Sequence, residues 1–200
     1  MEKLAVFGGT FNPIHRGHLS LCTQLADALE ISRVLLMPDK APPHKEAPEL
    51  AAGEHRLAMC RLAARADPRL QASDMELVRE GPSYTYLTIR QLKEMYPEKE
   101  LCWFVGSDML FTLLQWKNAE EFLPRAVFCA GARHPGEEQA LLRAAQEIHR
   151  AGGSCRVVPC RVVECSSTEL RRRAAAGEDL SGLLPEGVWD YILRHHLYGR

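Results

Sequence analysis

Short apolar runs and longer amphipathic stretches alternate along this chain, and that alternation narrows its possible folds more than any other feature. Strand-like runs occur at residues 4–7, 34–37, 101–105, 127–130 and 156–163. Helix-like stretches lie at 19–29, 54–65, 85–96, 137–151, 168–176 and 188–197. The runs show little period-two patterning, so the strands are expected to be buried on both faces. Strands of that kind joined by helical crossovers predict an α/β fold: an open, mainly parallel, Rossmann-like sheet with helices on both faces. No repeat, low-complexity tract or long linker interrupts the pattern. One domain over residues 1–200 is predicted, with a C-terminal helical portion from about residue 168.

Two hundred residues, 46% of them hydrophobic, suffice for one sizeable core. A formal net charge of −1 supplies no basic field for nucleic acid. No apolar run approaches a bilayer span, and the start, M-E-K-L-A-V-F-G-G, lacks the long apolar region of a signal peptide. A cytoplasmic protein without membrane attachment is expected, as a monomer or a homo-oligomer. The seven cysteines form no C-x-x-C pair, so neither a zinc ribbon nor a redox motif is indicated. Cys155, Cys160 and Cys165 are five apart, which along one strand would turn successive thiols to opposite sides. They are expected to be core residues.

Residues 8–18, G-G-T-F-N-P-I-H-R-G-H, join the first apolar run to the first amphipathic stretch. A glycine turn between a strand and a helix exposes backbone N–H groups that favour anions, here at the carboxyl ends of the strands. Cys22, Leu25 and Leu29 form one apolar stripe, and extended backward it runs through His18 and His15. An early helix start would turn both imidazoles toward the sheet edge. A site for a nucleotide's phosphates is the reading; helix capping or packing is the alternative for the histidines.

Four later elements fall at the same edge. Pro42 and Pro43 keep a loop extended that carries Lys40, His44 and Lys45, cations for phosphate or simply a solvated connection. In R-E-G-P-S-Y-T-Y-L-T, Gly81 and Pro82 mark a turn and Thr85 is an expected N-cap. Ile89, Leu92 and Tyr96 follow as a buried stripe, with Leu87 off it. Gly106 and Asp108 end a strand, the carboxylate suiting either ribose hydroxyls or a helix cap. Trp116 is either core or a stacking surface, and Arg133 brings a cation after the next strand. Ser166, Ser167 and Thr168 offer caps and donors to an anion, with Arg171 one turn inside the helix. The final stripe of Val188, Tyr191, Ile192 and His195 reads as a docking helix, with adjacent His195 and His196 diverging too far to chelate one ion.

Taken together, G-G-T-F-N-P-I-H-R-G-H, P-P-H-K at 42–45, S-Y-T at 83–85, G-S-D at 106–108 and S-S-T-E-L-R at 166–171 resemble the nucleotidyltransferases with the H-x-G-H signature. The specific resemblance is to the bacterial nicotinate-nucleotide adenylyltransferases, whose motifs occur in this order over essentially the whole chain. One position departs from the family pattern, and another takes its less common residue. Asn12 replaces a commoner aspartate, and Leu87 stands where the family's S-Y-T-x-D-T has aspartate.

The resemblance implies that ATP and nicotinate mononucleotide are joined, with pyrophosphate released. It implies His15, His18, Lys45 and Arg171 as catalytic residues. ATP would meet Gly8, Gly9, Thr10, Phe11, Gly106, Asp108, Arg133, Ser166, Ser167 and Thr168 as well as the two histidines and Arg171. Nicotinate mononucleotide would meet Lys40, His44, Lys45, Ser83, Tyr84, Thr85 and Trp116. Mg²⁺ would bridge phosphates, with no protein metal ligand. Phosphopantetheine adenylyltransferases share the two end motifs but are typically shorter, and P-P-H-K and S-Y-T argue against them. A nucleotide-binding regulator without catalysis would not need the intact His15, His18, Lys45 and Arg171. A histidine-based metal hydrolase would need a carboxylate in an H-x-x-H context, which is missing.

Overall fold

Chain order in the computed structural model, which describes residues 2–40, 50–132, 134, 136–161 and 163–199, runs β1 (Lys3–Gly9), α1 (Arg16–Ala28), β2 (Val34–Pro38), α2 (Gly53–Ala63) and β3 (Leu70–Ala72). It continues through α3 (Met75–Val78), α4 (Thr85–Met95), β4 (Glu100–Gly106), α5 (Ser107–Thr112), α6 (Ala119–Phe122) and β5 (Val127–Gly131). The last elements are α7 (Glu138–Arg150), β6 (Ser154–Val157), α8 (Ser167–Ala175) and α9 (Val188–Arg194). The strands hydrogen-bond in the order β3-β2-β1-β4-β5-β6, and every pair is parallel. The chain winds outward from β1 in one direction, then restarts at β4 on its other side. The carboxyl ends of β1 and β4 therefore flank the switch point where open α/β sheets bind ligands.

Side-chain alternation along each strand divides the core in two. Ala5 and Phe7 of β1, with Cys102 and Phe104 of β4, face a cluster containing Leu25 of α1, Cys60 of α2, Leu170 of α8 and Ile192 of α9. Leu4 and Val6, with Leu101, Trp103 and Val105, face the other cluster, built with Ile89 and Leu92 of α4 and Leu141 and Ile148 of α7. Burial on both faces explains the unbroken apolar runs. No disulfide links the seven cysteines: Cys155 joins the second cluster, while Cys160 and Cys165 pack against the first. Burial pushes the Cys22 thiol up to about 12 and Cys155 up to about 11, which keeps both protonated at neutral pH.

The observed sheet corrects the expected elements at several points. The last strand stops at Val157 rather than running from 156 to 163, because Pro159 has no N–H for the ladder. β3, three residues at the sheet edge, is too short to leave a pattern. The helix expected at 188–197 ends at Arg194, just before left-handed His196 and Tyr198. Thr85 occupies the first helical position of α4, and the N-cap is Tyr84, with no side-chain cap bond.

Candidate active site

The N-terminus of α1 is closed by its own histidines. His15 is the N-cap; its Nδ1 accepts from His18 N at 3.3 Å, and His18 Nδ1 accepts from His15 N at 3.3 Å. A backbone N–H can only donate, so both Nδ1 atoms are acceptors and each neutral ring carries its proton on Nε2. The rings stack with centroids 3.6 Å apart and planes 21° from parallel. His15 is 1% exposed, while His18 is half-buried, its edge against Phe11 at 5.1 Å and Phe7 at 6.1 Å. Capping and catalysis were alternatives in the sequence; here the capping geometry is what orients two N–H donors at a helix N-terminus. Gly17, which carried no role in the sequence reading, is required by this packing. A Cβ there would lie 2.9 Å from Val163 O and 3.1 Å from His15 Nδ1.

The turn before His15 is held from several sides by groups far away in sequence. Arg56 of α2 is 1% exposed. Its guanidinium donates to Ala51 O at 2.9 Å, Thr10 O at 2.8 Å, Asp39 Oδ1 at 3.3 Å and Lys40 O at 3.5 Å. The Thr10 hydroxyl donates to Asp39 Oδ2 at 2.9 Å. Arg171 Nη1 donates to Asn12 O at 2.9 Å, and Ser167 Oγ to Pro13 O at 3.0 Å. Tyr198, after α9, donates to Asn12 Oδ1 at 2.8 Å. Phe11 sits in the left-handed region at φ 48°, uncommon for a bulky side chain, with its ring 2% exposed. Its side chain is thus a prop for His18 rather than an open ligand surface.

The S-Y-T segment is tied to the exit of β2. Ser83 Oγ accepts from Lys40 N at 2.9 Å, and Lys40 Nζ donates to Arg79 O at 3.0 Å. Beneath it lies Glu76, 7% exposed, which accepts from Thr88 Oγ1 and pairs with Arg79 at 3.9 Å. Burial raises the Glu76 carboxyl above its ordinary range, against the opposing pull of Thr88, Ser83 and the Arg79 charge. Tyr84 and Tyr86 stack at 5.9 Å, and Lys117 Nζ lies 4.5 Å from the Tyr84 ring centroid. Trp116 next to it is half-buried, its Nε1 donating to Thr112 Oγ1 at 3.2 Å and its ring 6.3 Å from Phe122. It is neither wholly core nor wholly free.

The remaining expected residues divide clearly. Gly8 and Gly9 end β1; a Cβ on Gly8 would stand 3.3 Å from the Trp103 ring. Gly106 ends β4 and Asp108 is exposed in the first turn of α5, at the same carboxyl edge. Ser166 takes the N-cap position of α8 without a side-chain cap bond, so the expected hydroxyl cap is not formed; Thr168 is exposed. Pro42, Pro43, His44, Lys45 and Arg133 lie outside the described residues. Arg56, Asp39, Glu76 and Tyr198 were missed. Only Arg56 left a sequence signal: it shares an i, i+4, i+7 stripe with Cys60 and Ala63, both fully buried, which puts a charge on a buried face.

A cytidylyltransferase-like family model matches residues 6–173. Over 199 residues the chain is 38% identical to a probable nicotinate-nucleotide adenylyltransferase of Geobacillus thermodenitrificans, covering 100% of this chain and 87% of that one. It is 39% identical over 202 residues to a protein of the same name from Symbiobacterium thermophilum, covering 100% and 97%. Among solved structures, the Plasmodium falciparum nicotinic acid mononucleotide adenylyltransferase complexed with NaAD superposes with a TM-score of 0.81, covering 99% of this chain and 98% of that one. At 18% identity that likeness bears on the fold alone. The full-length sequence matches place this chain in the cytidylyltransferase-like family and, within it, among the nicotinate-nucleotide adenylyltransferases.

Proposed function

We infer that the protein transfers the adenylyl group of ATP to nicotinate mononucleotide, giving nicotinate adenine dinucleotide and pyrophosphate in NAD biosynthesis. A phosphate oxygen of the mononucleotide attacks the α-phosphorus of ATP, and the bond to the β-phosphate oxygen breaks. The attacking oxygen is already nucleophilic at neutral pH, so the reaction needs no general base and no covalent enzyme intermediate. The protein's tasks are to align two polyanions and to stabilise charge developing on the α-phosphoryl group and departing pyrophosphate.

The observation that carries this reading is the stacked His15–His18 pair, with both Nδ1 atoms committed to backbone and both Nε2 atoms left as the proton-bearing ones. Preset donors at a helix N-terminus suit an anionic transition state, because they need no reorganisation as charge appears. In this proposal His18 lies nearest the reacting phosphoryl group, and Gly8, Gly9 and Thr10 give the phosphates close approach to backbone. Ser166, Ser167, Thr168 and Arg171 take the leaving end of ATP, Asp108 with Gly106 takes its ribose, and Arg133 adds a cation. Lys40, His44 and Lys45 bind the mononucleotide's phosphate, while Ser83, Tyr84, Thr85 and Trp116 receive the nicotinate.

A divalent cation, Mg²⁺ in our proposal, would supply charge neutralisation between the phosphates. Among the described residues no group of three or more His, Cys, Asp or Glu side chains is placed to hold a metal. Asp39 beside the turn is engaged by Arg56 and Thr10. We propose that the cation is held by phosphate oxygens and its own water. No helix of the described residues is long and apolar enough to cross a membrane, and we propose a cytoplasmic enzyme.

The test is pyrophosphate release with ATP and, separately, nicotinate mononucleotide, nicotinamide mononucleotide and phosphopantetheine, compared as kcat/KM. The highest value is expected with nicotinate mononucleotide. Release with phosphopantetheine alone would overturn the assignment.

A further inference from the structure

The side chain of Asn12 is 4% exposed, and its Oδ1 accepts from Ala51 N at 3.1 Å and from the Tyr198 hydroxyl at 2.8 Å. Ala51 N–H can only donate, so the amide oxygen faces both partners and Tyr198 is a donor. Tyr198 reaches this turn from 186 positions away in the chain. It does so through left-handed backbone at His196 (φ 50°) and Tyr198 (φ 61°), conformations that persist only where surrounding contacts over-determine them. Arg56 and Arg171 are both near enough to act electrostatically on its hydroxyl. Arg56 holds Thr10 O, Arg171 holds Asn12 O and Tyr198 holds Asn12 Oδ1, so one short turn has three anchors from distant parts of the chain. Burial raises the phenol pKa, which keeps it a donor at working pH.

We propose that Tyr198 is a positioning residue for adenylyl transfer. Its hydroxyl locks Asn12, and through Asn12 it fixes the turn that delivers the His15–His18 pair and joins that turn to Ala51. The segment after α9, which reads in sequence as plain docking structure, is in this way part of the site's geometry. The proposal rests on the adenylyl-transfer reading above.

Steady-state kinetics of Tyr198→Phe, with Tyr191→Phe as comparison, test it. The Tyr191 hydroxyl bonds His55 Nδ1 at 2.9 Å, so its loss perturbs the docking of the same segment through a different partner. Tyr198→Phe is expected to lower kcat about 3- to 10-fold with both KM values within about twofold, the scale of one hydrogen bond acting through geometry. Tyr191→Phe is expected to keep kcat while lowering the melting temperature about as much as Tyr198→Phe does. In an Asn12→Leu background, Tyr198→Phe should lower kcat no further. An unchanged kcat in Tyr198→Phe, an equal loss in both tyrosine variants, or additivity with Asn12→Leu would each overturn the proposal. Should Asn12→Leu not fold, the comparison of the two tyrosine variants decides alone. Wild-type protein that releases no pyrophosphate from ATP and nicotinate mononucleotide would instead overturn the functional reading.

Discussion

The two sides of the crevice are built on different principles. The turn after β1 is fixed by part-buried hydrogen bonds from Arg56, Ser167, Arg171 and Tyr198 and by the reciprocal histidine cap. The opposite side presents partly exposed rings, Tyr84, Tyr86 and Trp116, held by stacking, by Lys117 over Tyr84 and by one bond from the indole. The contrast matches the task proposed for each side. Stabilising transition-state charge demands donors already in place, since reorganisation would consume the gain. Receiving an aromatic base demands a flat apolar surface, which tolerates small displacements.

The comparison breaks first at Arg56. Removing its guanidinium leaves Asp39, 15% exposed, without its cation and frees carbonyls of Thr10, Lys40 and Ala51. Arg56→Ala is expected to destabilise the fold by about 3–5 kcal/mol in urea denaturation. Arg56→Lys recovers only part of this, because an ammonium cannot span acceptors set out for a planar fork. A loss below about 1 kcal/mol for Arg56→Ala would mean the turn is not clamped. Next is His18→Ala. Loss of a preset donor to the reacting phosphoryl group should lower kcat about 10²- to 10³-fold, and loss of half the capping box should cost about 1 kcal/mol of stability. Unchanged turnover would remove the histidine pair from the mechanism.

How much of this was legible in the sequence follows from where each interaction's partners lie. The parallel sheet and the His15–His18 element were readable because their signals are local: an apolar run, a glycine turn and a stripe at helical spacing. Arg56 and Tyr198 act on backbone carbonyls and an amide that folding alone brings near, and a carbonyl has no letter in a sequence. Ser167 shows the same limit from the other side. A run of Ser-Ser-Thr before a helix reads as a cap, yet Ser166 makes no cap bond and Ser167 reaches across to Pro13 O.

On the adaptable side, Trp116→Ala tests whether the ring is a stacking surface. Truncation should raise KM for nicotinate mononucleotide roughly 5- to 30-fold, as for loss of one base-stacking contact, and leave KM for ATP within about twofold. Because the ring is half-buried, the melting temperature should fall by only a few degrees. A large drop in stability with an unchanged KM would make Trp116 core, and its side as rigidly packed as the turn after β1.

The smallest effect is expected at Leu87, and it has the opposite sign. Leu87, Arg79, Arg90, Gln91 and Glu94 line one open cleft along α4. Among the described residues Arg79 Nη1 donates to Thr88 Oγ1 at 2.9 Å; its Nη2 faces Glu76 Oε1 only at 3.9 Å, beyond hydrogen-bond length, and its Nε and Nη2 are buried without a hydrogen-bond partner. A carboxylate at position 87 would sit in the first turn of α4, favoured by the helix dipole, on a cleft with two guanidinium groups against one carboxylate, Glu94. Leu87→Asp should therefore stabilise the protein by about 0.5–1 kcal/mol at low ionic strength. The gain should shrink in high salt and vanish in an Arg79→Met background, read as a double-mutant cycle in urea. Destabilisation by Leu87→Asp would instead show that the leucine's contacts on this face outweigh Arg79's unmet donors. The S-Y-T side would then owe its looser build to packing rather than to a missing charge.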